Sequence, residues 1–119
     1  MADLHVDFLG KRLADDNPYK YMKRAKAVMV LSDHESWSLV ISEAKLLGVP
    51  VIATNTSGAQ EQIVNGETGI ITSFQAEEIA DEIEEFLKNL DLQDKIRKNL
   101  LTDEAMKLGM QEFEELLRK

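Results

Sequence analysis

The sequence predicts an α/β fold: a parallel sheet with flanking crossover helices, followed by a helical C-terminal tail. Three observations carry this. Short apolar runs alternate with helical periodicity up to Thr72, the pattern that joins parallel strands through crossovers. One run, Ala27–Leu31, is continuously apolar, as in a strand covered on both faces. After Thr72 only helical spacing remains.

His5–Leu9 alternates and ends at Gly10, reading as a strand. Asn17-Pro18 opens a short helix, Tyr19–Arg24, with proline in its first turn. Ala27–Leu31 is the next strand, and Ser32-Asp33-His34 a loop. A helix is expected over Ser36–Leu47, because Trp37, Val40, Ile41, Ala44 and Leu47 recur on one helical face. That spacing places Trp37 in or beside the core, and Tyr21 is read the same way. Gly48 stops the helix, and Pro50 leads into strand Val51–Ala53. Asn55–Gly58 reads as a polar turn and Ala59–Val64 as a short helix. Asn65-Gly66-Glu67-Thr68-Gly69 turns into strand Ile70–Thr72. Helices are expected near 76–89, 91–101 and 103–118.

The length of 119 residues allows a single domain. Hydrophobic residues make up 44% and charged residues 30%, the balance of a globular rather than a disordered chain. The formal charge of -8 is uneven. Residues 1–73 hold 7 Lys+Arg against 9 Asp+Glu, and residues 74–119 hold 7 against 13, so -2 and -6. An acidic tail repels a polyphosphate, which argues against sequence-independent nucleic-acid binding. A single small anion held by local donors remains compatible with the nearly neutral first part. No apolar run reaches the roughly 18 residues of a membrane span, and no secretory leader is expected. Cys is absent, which removes disulfides, thiolate metal sites and Cys catalysis. A cytoplasmic location fits, with peripheral membrane association of a longer parent left open.

Ligands in parallel sheets sit at the C-terminal ends of strands. Three segments qualify: Ser32–Glu35, Thr54–Gln60 and the region after Thr72. Glu35 lies between a strand and a helix, and the following amides of Trp37, Ser38 and Leu39 offer donors to a phosphate. The competing reading is that Glu35, or Ser32-x-x-Glu35, merely caps the helix. Glu43 follows eight residues later. If both acids are helical, about 12 Å of axis separates them. That is too far for a carboxylate pair acting on one bond. It suits opposite ends of one long ligand with its phosphates between them, although Glu43 alone reads as a solvated helix residue. Gly58 in Asn55–Gly58 permits close approach to a ligand, against an ordinary turn as the plainer reading. Lys11 and Arg12 can meet a phosphate or simply be solvated. His5 reads as structural, and His34 has no ligand-spaced partners for a metal. No Walker loop, G-x-G-x-x-G or nucleophile elbow is present.

VDFLG, followed by NPYKYMKRAKAVMVLSDHESWSLVISEAKLLGVPVIATNTSGAQEQIVNGETGIIT, resembles the second half of the C-terminal domain in family-four-type retaining glycosyltransferases. The resemblance covers residues 4–72, and its core is E-x7-E, Glu35 to Glu43, with Gly48-Val49-Pro50-Val51-Ile52-Ala53 behind it. It implies the GT-B architecture of two Rossmann-like domains, of which this chain holds part of one. It also implies transfer of a hexose, with retention, from a nucleotide-diphosphate sugar to an acceptor that the resemblance does not identify, in polysaccharide or glycoconjugate synthesis. By the same resemblance Glu35 lies near the donor sugar and acts in catalysis. Ser38 and Leu39 give backbone N–H groups to the diphosphate, and Glu43 bonds the ribose. No cofactor or bound metal is implied, the diphosphate charge being met by the helix dipole and basic side chains.

Two departures stand out. Ser36-Trp37-Ser38 replaces the Gly-Phe-Gly of many relatives, and the family's basic phosphate-binding segment falls outside the matched region. The chain is therefore expected to be an inactive piece of a longer enzyme, cut out or truncated. A nucleotide-sugar 2-epimerase shares the architecture but places its acids differently. A non-enzymatic interaction module, docking through the acidic tail, is the other alternative.

Overall fold

The computed structural model describes residues 22–102 together with 111, 112 and 115. The expected strand His5–Leu9, the Lys11-Arg12 pair, Tyr21 and most of the helix at 103–118 lie outside the described residues. Strand β1 is Val28–Val30, helix α1 Leu39–Leu46, β2 Val51–Thr54, α2 Ser57–Gln62, β3 Ile70–Thr72, α3 Ala76–Lys88 and α4 Leu90–Thr102. The three strands form one parallel sheet in the order β1-β2-β3. Val28 sits beside Val51, and Ala53 lies between Val30 and Ile71.

The period-2 alternation of strands divides the apolar residues between two cores. Val28, Val51 and Ala53 join Ile41, Ala44, Val49, Ala59 and Ile63 under α1 and α2. Ile52 and Ile70 point the other way and join Phe86, Ile96 and Leu100 from α3 and α4. The last helices are thus the second covering layer of the sheet, as a β2 buried at every residue requires. On α3, Ile83, Phe86 and Leu87 face the core, while Glu77, Glu78, Asp81, Glu82, Glu84 and Glu85 are exposed. Its acidity is therefore largely the solvated face of a core helix. Gln93 Nε2 donates to the Phe86 carbonyl at 2.8 Å, and Arg97 donates to the Ala25 carbonyl at 3.1 Å, tying α4 to α3 and to the entry of β1.

Helix boundaries follow their caps. α1 starts at Leu39 rather than Ser36, because Ser38 is extended (φ -106, ψ 119) and its Oγ accepts the Ile41 N–H at 3.2 Å. Trp37 consequently falls outside the helix and is 57% exposed, not in the core. The apolar spacing counted Trp37 as helical, and the serine one residue later overrides it. α2 starts at Ser57 because Thr56 Oγ1 accepts the Ala59 N–H at 3.1 Å, and ends where Ile63 turns extended into the core. Gly48 stops α1 as expected: at φ 73 it donates to Lys45 O, and Val49 donates to Ala44 O at 2.9 Å. That is the paired closure of a Schellman motif. Gly48→Ala should cost about 1 kcal/mol, read as a lower midpoint in chemical unfolding with an unchanged slope.

Candidate functional site

The loops leaving β1, β2 and β3 open on one cleft of about 620 Å³, lined by residues 33–37, residues 55–57 and Phe74. These are the strand ends the sequence singled out. Thr54 Oγ1 donates to the Ser32 carbonyl at 2.6 Å, fixing the start of the β1 loop. The Gly58 N–H and the Ser57 hydroxyl, the latter at 3.3 Å, both donate to the Glu35 carbonyl. A Cβ on Gly58 would stand 2.6 Å from that oxygen. Gly58 does permit a close approach, but to the Glu35 backbone rather than to a ligand. Glu35 is thereby pinned by its main chain, and its residue is half-buried in the cleft wall. It does not cap α1, since Ser38 does.

The start of α1 has a specific donor pattern. The Ser38 N–H donates to Gln62 Oε1 at 2.8 Å, and Ser38 is buried. Ile41 is satisfied by Ser38 Oγ and Ser42 by Ser38 O. Among the described residues, the amides of Leu39 and Val40 have no hydrogen-bond acceptor, and both residues are exposed. The donors open to an anion are therefore Leu39 and Val40, with Ser38 as their internal support. Val40 is not legible as a donor in the sequence, because apolar periodicity carries the helix back to Ser36, three residues before its observed start. The signal was Ser38 itself, an N-cap residue type directly before an unbroken helical run.

Glu43 lies in the second turn of α1, half-buried, and is not part of the cleft wall. Because Glu35 is in the loop, the helical separation of 12 Å does not apply. Only the four steps from Leu39 to Glu43 are helical, about 6 Å of rise. His34 and the exposed Trp37 and Phe74 complete the cleft. Among the described residues, no group of three or more His, Cys, Asp or Glu is placed to hold a metal ion. No described helix is long and apolar enough to cross a membrane.

Helix N-termini at the carboxyl edge of a parallel sheet are where α/β domains generally receive anionic ligands. The chain belongs to the glycosyl transferases group 1 family, whose model matches residues 2–101. It is 34% identical over 97 residues to N-acetyl-alpha-D-glucosaminyl L-malate synthase of Bacillus anthracis, covering 77% of this chain and 25% of that protein. It is 35% identical over 86 residues to the capsular polysaccharide biosynthesis glycosyltransferase CapM of Staphylococcus aureus, covering 70% and 22%. Among solved structures it is similar to Anabaena Alr3699/HepE in complex with UDP, with a TM-score of 0.65 and 26% identity over 83% of this chain and 29% of that one. The same protein with UDP-glucose gives a TM-score of 0.51 at 25% identity. The chain thus spans about a quarter of the length of these proteins. The fold is that of part of a GT-B glycosyltransferase domain.

Proposed function

We infer that this chain forms the donor-binding part of a glycosyltransferase that moves a hexose, with retention, from a nucleotide-diphosphate sugar, in polysaccharide or glycoconjugate synthesis. The observation that carries the reading is the pair of amides at Leu39 and Val40, without an acceptor among the described residues, at the start of the helix that follows the cleft-lining loop of residues 33–37, the cleft lying at the carboxyl ends of all three strands. A structural neighbour solved with UDP and with UDP-glucose supports the ligand class.

In this reading the diphosphate lies against the α1 N-terminus, where the helix dipole and the free N–H groups favour negative charge. Ser38 holds that terminus in place. Glu35 stands at the sugar end and stabilises positive charge developing at the sugar carbon, a contribution larger in the transition state than in the ground state. Glu43 accepts from the ribose hydroxyls. The reading needs no bound metal, since helix dipole and basic groups meet the diphosphate charge.

The test is equilibrium binding of uridine diphosphate and guanosine diphosphate to the chain, paired with assays for sugar transfer and donor hydrolysis. The expected result is saturable binding of at least one nucleotide with no turnover, because the chain spans a fraction of its relatives' length. Clear turnover by the chain alone contradicts the expectation that it is only part of the machinery. Absence of any nucleotide binding contradicts the donor-site reading.

A further inference from the structure

Gln62 is 5% exposed at the end of α2, and its carboxamide brackets a single residue 24 positions earlier. Oε1 accepts the Ser38 N–H at 2.8 Å, while Nε2 donates to the Ser38 carbonyl at 2.9 Å and to Ser42 Oγ at 2.9 Å. The Ser38 carbonyl also accepts the Ser42 N–H and the Ser42 hydroxyl, each at 3.2 Å. Three donors therefore converge on one oxygen. The Lys45 ammonium donates to the Gln62 carbonyl, so the end of α2 is itself tied to α1.

A trans peptide is planar, with its C=O and N–H pointing in opposite directions. The Ser38 C=O and the Leu39 N–H belong to one such peptide. Donors that hold the buried carbonyl end fix the direction of the Leu39 N–H at the other end. They also polarise the peptide, which strengthens that N–H as a donor. We propose that Gln62 is a positioning residue: it pins and polarises the Ser38–Leu39 peptide so that the Leu39 N–H meets a phosphate of a nucleoside diphosphate. This rests on the donor-site reading above. It adds a residue that touches no ligand, acting from a different helix.

A matched control exists in the same fold. Gln93 is also buried, at 7% exposed, and donates to the Phe86 and Leu87 carbonyls, away from the cleft. Gln62→Met and Gln93→Met keep side-chain length and remove the carboxamide. Affinity for uridine diphosphate is measured on the full chain by amide NMR titration, well below each variant's unfolding temperature. Both variants should lose stability, but only Gln62→Met should weaken binding, by about tenfold or more. Before any nucleotide is added, its Leu39 amide proton should also move upfield. Should Gln62→Met not fold, Ser42→Ala removes one of the three donors at a half-buried helix position. It should weaken binding two- to threefold, about half a kcal/mol in the ordinary conversion, with a smaller upfield move at Leu39. Wild-type chain that binds while the folded Gln62→Met binds equally well overturns the proposal and leaves the donor site standing. The same holds for Ser42→Ala if it takes over the test and binds as wild type does. Wild-type chain that does not bind overturns both.

Discussion

Glu35→Gln, in a full-length enzyme carrying this segment, is expected to lower turnover by about 10²-fold or more while binding of the bare nucleotide diphosphate barely changes. The substitution keeps size and one acceptor but removes charge. If the carboxylate acts on charge that develops only at the sugar carbon, its loss belongs to the transition state. A nucleotide without sugar does not reach that carbon, so its affinity is the internal control. The competing role, capping α1, predicts a stability loss of about 0.5–2 kcal/mol and little change in turnover. In the structure Ser38 occupies the cap and Glu35 is anchored through its carbonyl, which the substitution leaves in place. Thermal stability should therefore stay within about 0.5 kcal/mol of the parent. Normal turnover with reduced stability would refute the catalytic role.

Glu43→Ala is expected to act in the opposite register. It should weaken the bare nucleotide diphosphate by about 1.5–3 kcal/mol, roughly 10- to 150-fold, whether or not a sugar is attached. The physical basis is loss of charge-assisted hydrogen bonds to two ribose hydroxyls. Alanine is a good helix former, so α1 should persist, and a circular dichroism spectrum checks that directly. Glu43 lies off the cleft wall, one helical turn beyond the open amides. In the proposed reading, a ligand that reaches it runs along α1 from its N-terminus, as a diphosphate joined to a nucleoside would. Unchanged nucleotide affinity with an intact helix would make Glu43 an ordinary helix residue. Glu35 and Glu43 are thus separable, one by rate and the other by affinity.

The strands were legible because their signal is local. Continuous apolar runs bounded by Gly, Pro or polar turns place β1, β2 and β3 within a residue of their observed limits. Gly48 as the stop of α1 is equally readable. The start of α1 was not, because apolar periodicity and capping chemistry disagree at Trp37 and Ser38. Periodicity carried the helix back through Trp37, whereas the hydroxyl of Ser38, satisfied by Ile41, ends it there. This error shifted the free amides from Trp37–Leu39 to Leu39 and Val40. The roles of Gly58 and Gln62 could not be read at all. Each depends on a contact across more than 20 residues, Gly58 to Glu35 and Gln62 to Ser38, which only folding creates. The acidic C-terminal region reads from the sequence as a helical tail, with no sign of what it packs against. Phe86, Ile96 and Leu100 make its helices up to Thr102 the second wall of the core.

In the proposed function, a nucleotide diphosphate binds at the start of α1 and the loop before it. Titrating uridine diphosphate into the ¹⁵N-labelled chain and following every backbone amide tests it most directly. Saturable shifts are expected, greatest at Leu39 and Val40, extending to residues 33–37 and 55–57, with Glu43 following the nucleoside end. Little change is expected along the acidic face of Glu78, Asp81, Glu82 and Glu85, where an anion is repelled. Shifts centred on that face, or spread without saturation while Leu39 and Val40 stay still, would contradict it.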